Sequence, residues 1–87
     1  MNGQEVSRRI TDLLPDASVK VSGEDCNFSV LVVSDEFAEL RPVARQQQIL
    51  RLFGEELASG RLHALTVDAC TTAELSARQS TLTSISL

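Results

Sequence analysis

One histidine and two cysteines hold most of the metal-binding potential of this chain: His63, Cys26 and Cys70. Imidazole binds iron or zinc as the neutral ring, and a thiol binds as its thiolate. Spacing alone does not join these residues into a site. His63 can ligate a metal, shuttle a proton or simply cap the end of a strand. Cys26 falls in or beside a hairpin turn, as an accessible thiol or as a partly buried one; its neighbours Glu24 and Asp25 argue against a nucleophile. Cys70 lies at the far end of a strand from His63 and reads as packing. A Cys26–Cys70 disulfide is disfavoured in a reducing compartment. The carboxylates are scattered, with no acid–base pair and no nucleophile, base and orienter set. There is no phosphate-cradling glycine loop and no CxxC. These absences point to a protein that is not an enzyme.

A second set of residues lies on a predicted helix. Arg41, Arg45 and Gln48 fall opposite its apolar stripe, with Leu52 beside them. This is either solvated surface or a recognition face for a partner or a nucleic acid. A net charge of −4 weighs against the neutralisation of phosphates on which nucleic-acid binding rests. With three Phe and no Tyr or Trp, no surface for base stacking is visible either.

The elements that must position these residues follow from periodicity. Asn2-Gly3-Gln4-Glu5 forms a capping-box pattern. Val6, Ile10, Leu13 and Leu14 share one helical face up to Pro15, which gives a helix over 3–14. Residues 18–22 alternate as a strand, Gly23-Glu24-Asp25 reads as a turn, and residues 26–34 form a second strand. Its Val30-Leu31-Val32-Val33 centre predicts burial on both faces or nearly so. Residues 35–40 suit one short helical turn. Pro42 opens a longer helix that runs to Ser59, with Val43, Leu50, Phe53 and Leu57 as its buried face. Gly60 then releases the chain into a third strand, Arg61 to Cys70, in which His63, Leu65, Val67 and Ala69 share one parity. Thr71-Thr72-Ala73-Glu74 is a further capping box and predicts a last helix over 72–79, followed by a Ser/Thr-rich flexible tail over 80–87.

The order is helix, strand, strand, helix, helix, strand, helix. It predicts a single α/β (α+β) domain over 1–79 with a mixed three-stranded sheet. The first two strands make an antiparallel hairpin, and the third joins in parallel through a crossover. Eighty-seven residues leave no room for a second domain. No apolar run is long enough to span a bilayer and no secretory signal is visible. Two distant cysteines fit a reducing cytoplasm.

The segment Arg61-Leu62-His63-Ala64-Leu65-Thr66-Val67, followed by a Thr-started acidic helix, resembles the C-terminal signature of BolA-like proteins. Val21-Ser22-Gly23 ahead of Cys26-Asn27-Phe28-Ser29-Val30 is similar to the hairpin of that family. Phe37 through Val43-Ala44-Arg45-Gln46-Gln47 is similar to its helix entry, above all in the short, acid-resistance-associated bacterial branch. The resemblance covers roughly residues 4 to 76, and the histidine strand is its most specific part. Cys70, Thr72, Leu75 and Glu39 depart from common family residues and leave the candidate ligands intact.

The resemblance implies a fold like class II KH domains without their GxxG loop. It also implies a monothiol glutaredoxin partner and a shared [2Fe-2S] cluster held with glutathione. The ligands from this chain would be His63 and Cys26, and the isolated chain would carry no cofactor. The role implied is iron-sulfur trafficking or iron, redox and stress regulation. The alternative is a transcriptional regulator that binds DNA through Arg41, Arg45 and Gln48. A weak homodimer is a further expected association.

Overall fold

The computed structural model describes residues 1–78. Helix α1 (Gly3–Leu13) opens with the side chain of Asn2 accepting the Glu5 N–H at 2.9 Å. Its Val6 and Ile10 are buried. Strands β1 (Ser18–Glu24) and β2 (Asn27–Val33) form the antiparallel hairpin, and β3 (Ala64–Cys70) pairs with β2 in parallel. The sheet order is β1-β2-β3, so β2 is central. A 3₁₀ turn (Asp35–Glu39), helix α2 (Pro42–Leu52) and helix α3 (Gly54–Ser59) make the crossover. A last helix, α4, covers residues 72–78. Its expected final residue, Gln79, and the expected tail over 80–87 lie outside the described residues.

Helices α1 and α2 pack against the sheet. Val6, Ile10, Phe28, Val30, Val32, Phe37, Ile49, Phe53, Leu62 and Val67 form the core between them. The expectation that β2 is covered on both faces does not hold. Phe28, Val30 and Val32 are buried, whereas Asn27 and Ser29 are exposed and Leu31 and Val33 half-buried. One face of the sheet is open, and an apolar run in a central strand proves compatible with a one-sided layer.

Three boundaries differ from the sequence reading. The long helix is two helices, broken at Phe53, whose φ of −113° and ψ of 18° leave the helical region. Gly54 follows, a poor helix former, and the break lets the Phe53 ring enter the core, where it is fully buried. The buried face of α2 is also rotated. Arg45 and Ile49 are buried and Val43 is 63% exposed, so Val43 does not belong to the core stripe. The third strand begins at Ala64, not Arg61, because Leu62 drops into the core just ahead of it.

The capping box at α4 forms in both directions. Thr71 Oγ1 accepts the Glu74 N–H at 3.2 Å, and Glu74 Oε1 accepts the Thr71 N–H at 2.8 Å. Gly60 closes α3 with φ 82°, the left-handed geometry expected of it.

Candidate functional site

The β1–β2 register ends on the pair Glu24↔Asn27, which leaves Asp25 and Cys26 as a two-residue hairpin turn. Both have positive φ, 55° and 65°, the signature of a type I′ turn whose twist matches the strands. The expected turn at Gly23-Glu24-Asp25 is therefore displaced towards the C-terminus, and Cys26 is a turn residue, not the start of a strand. Gly23 has its own task. Its φ is 106°, and a Cβ placed there would lie 2.2 Å from the backbone oxygen of Asn27. Only glycine fits this close approach beside the turn.

The backbone brings the two candidate ligands together. The Cys26 carbonyl accepts the His63 N–H at 2.8 Å and the Ala64 N–H at 3.2 Å. This double bond pattern opens the parallel pairing, whose first pair is Asn27↔Ala64. On the other side of His63, Leu62 is fully buried and its N–H donates to the Glu56 carbonyl at 3.0 Å. His63 is thus held between a core anchor and a sheet anchor, and its side chain is exposed. Parity with Leu65 and Val67 does not govern it, because the strand has not yet begun. The Cys26 side chain is half-buried, with Sγ 3.9 Å from the Met1 carbonyl oxygen.

Among the described residues no group of three or more His, Cys, Asp or Glu is placed to hold a metal ion. This end of the molecule offers one thiol and one imidazole, a pair of donors suited to iron. A four-ligand centre therefore needs its other donors from elsewhere. A cavity of about 410 Å³ lies on the open sheet face against Lys20, Ser22, Ser29, Leu31 and Asp68, and neither Cys26 nor His63 lines it.

Cys70 is fully buried, and burial pushes its thiol up from the ordinary value of 9.0. That disfavours the thiolate and fits packing. Arg45 is the clear correction. The sequence places it with Arg41 and Gln48 on an exposed helix face, either solvated or for recognition, but it is only 5% exposed. Its Nε donates to the Leu40 carbonyl at 2.9 Å, and its Nη1 donates to Glu74 Oε1 at 2.6 Å and to the Ala69 carbonyl at 3.3 Å. Buried and paired with the Glu74 carboxylate, this guanidinium is withdrawn from the surface that a phosphate would approach. Arg41 is exposed, and Gln48 is half-buried with its Oε1 unpartnered among the described residues.

Two contributors escaped the sequence reading. Met1 closes one side of Cys26, and Leu62 turns His63 outward. A large apolar residue directly after Gly60 was the available signal for Leu62; nothing local announces the contact with Met1.

The description "BolA-like protein" matches residues 7–74. Acid stress protein IbaG of Escherichia coli strain K12 is 31% identical over 74 residues, covering 85% of this chain and 88% of that protein. The DNA-binding transcriptional regulator BolA of Vibrio cholerae is 44% identical over 52 residues, covering 60% of this chain and 48% of that protein. In three dimensions the chain superposes on a BolA protein homologue from Coxiella burnetii with a TM-score of 0.73 at 19% identity, covering 87% of this chain and 97% of that one.

Proposed function

Since this chain belongs to the BolA-like family, we propose that it is a non-enzymatic adaptor that pairs with a monothiol glutaredoxin and co-ligates a [2Fe-2S] cluster through Cys26 and His63. The observation that carries this reading is the Cys26 carbonyl, which takes the N–H groups of both His63 and Ala64 and so keeps the two candidate donors at one end of the sheet. The exposed imidazole and half-buried thiol are accessible there to a second protein. Two tetrahedral irons need four terminal ligands, of which this pair supplies two. A partner protein and its bound thiol would supply the rest. The bound cluster would provide one-electron chemistry or be handed on as cargo. The work of this chain is to orient the two donors and leave the other side open. A reducing cytoplasm keeps the Cys26 thiol available.

The test is anaerobic reconstitution of the chain with a monothiol glutaredoxin, glutathione, iron and sulfide. His63→Ala is expected to remove or shift the visible charge-transfer bands of the mixed complex and to shorten its lifetime. Unchanged bands and lifetime would exclude His63 as a ligand.

The name of the Vibrio cholerae relative motivates a second reading, DNA binding through α2. It is left with Arg41 and Gln48, because Arg45 is engaged inside the fold.

A further inference from the structure

A small cleft adjoins the Cys26–His63 end. It measures about 160 Å³ and is lined by Met1, Glu5, Arg8, Arg9, Glu56 and Arg61. Neither candidate ligand lines it, but a residue near each one does. Met1 presents its carbonyl to Cys26 Sγ, and Arg61 stands two residues ahead of His63. The wall of the cleft is fixed. Arg9 Nη1 pairs with Glu56 Oε1 at 2.8 Å, its Nη2 donates to the Leu52 carbonyl, and its guanidinium lies 4.8 Å from the centre of the Phe53 ring. Arg9 is fully engaged and neutralised by Glu56.

The other two arginines differ. Arg8 and Arg61 are exposed, and neither side chain has a hydrogen bond or ion pair among the described residues. The carboxylates beside them are Glu5 and Glu56, the second already paired with Arg9 and also drawn down by the charge of Arg61. On a chain of net charge −4, this corner is locally cationic and its guanidinium donors are free.

We infer that this cleft is a docking notch for an acidic side chain of the partner protein, whose carboxylate is taken by Arg8 and Arg61 beside the ligand pair. The assignment rests on the adaptor reading above and adds to it the point of contact. Three features select the occupant. Guanidinium forks match a carboxylate in a bidentate manner. The volume suits a carboxylate on a short stem and falls below the roughly 300 Å³ at which pockets for whole small molecules begin. Glu5 on the rim tolerates a monoanion better than a phosphate dianion. Seating an acidic residue here would guide the partner to the end of the sheet where Cys26 and His63 are exposed, and would speed encounter more than it tightens the final complex.

The experiment is calorimetric titration of the full chain with a monothiol glutaredoxin, without cluster, at low and high salt. The Arg8→Glu/Arg61→Glu double variant is expected to bind about tenfold more weakly, since a carboxylate brought against like charge is penalised. It should also lose most of the salt dependence. Arg8→Lys/Arg61→Lys should keep the salt dependence but lose part of the affinity, because lysine keeps the charge and not the fork. Arg61→Gln, a mild change at an exposed site, should follow the same direction at about threefold. A wild-type complex whose affinity ignores all these variants overturns the notch and leaves the adaptor reading standing. No complex with the wild-type chain overturns both. A separate titration with glutathione alone distinguishes the source of the carboxylate. If the free tripeptide binds and the double variant abolishes that binding, the notch belongs to the peptide and the assignment to the partner's side chain falls.

Discussion

The two ends of the β2–β3 pair make an instructive contrast, because each carries a cysteine. At the first pair, Asn27↔Ala64, Cys26 stands half-buried in a hairpin turn, next to an exposed His63. At the last pair, Val33↔Cys70, the thiol is fully buried and the Ser34 N–H donates to the Cys70 carbonyl at 3.0 Å. Arg45 and Glu74 close that end by tying α2, β3 and α4 together. The same side chain is presented at one end and sealed at the other. What separates them is the element around it: a turn with positive φ that holds its side chain at the surface, against a strand end covered by a helix and an ion pair.

That contrast can be broken first at the open end. Gly23→Ala forces a Cβ into the Asn27 carbonyl at positive φ, and we expect it to cost about 3 kcal/mol of stability in urea unfolding. A change of a few tenths would mean that the turn has another way to close. A smaller effect sharpens the comparison directly, by making one substitution at both ends. Cys70→Ser should cost about 1–3 kcal/mol, because it buries a hydroxyl in an apolar site. Cys26→Ser should stay within about 0.5 kcal/mol, since surface changes rarely do more. Equal losses in thermal unfolding would erase the distinction between the ends.

The smallest effect is a pH dependence at the sealed end. The Arg45 guanidinium and the Thr71 N–H hold the Glu74 carboxyl below the ordinary value of 4.5. A carboxyl lowered in the folded state contributes stability that is complete above its unfolded value and is lost as pH falls through the lowered one. Glu74→Gln should therefore lower stability near neutrality, where that contribution is complete, and flatten the acid limb below about pH 4.5, so that variant and wild type converge in acid. An unaltered acid limb would show that the Arg45–Glu74 contact does not strengthen with ionisation.

Much of this architecture is legible from periodicity and caps. The Asn2 cap, the Thr71 capping box, the Gly60 terminus, the hairpin and the parallel third strand all follow from local residue patterns. What escaped depends on partners distant in sequence. Arg45 looked like a surface residue because its neutralising carboxylate lies 29 residues away on α4. Once Arg45 is buried, the apolar stripe of α2 rotates with it and Val43 faces solvent. The sequence leaves Cys26 in or beside the turn and starts the second strand on it, because Gly23-Glu24-Asp25 is the more usual turn composition. The register is set instead by the alternation of β1 against β2, which carries β1 on to Glu24. The break at Phe53 was hidden because Phe53 and Leu57 keep helical spacing across it. His63 and Cys26 stood out by residue type, and only the paired backbone reveals that they are neighbours.

The shared acceptor at Cys26 also has a kinetic meaning. The His63 amide proton is held by the hairpin turn, not by an interior strand. It can exchange with solvent only when the turn lifts away from the start of β3. Its exchange rate, compared with that of the interior amides of the sheet, is therefore a clock for how often the tip of the hairpin opens while the rest of the fold stays closed.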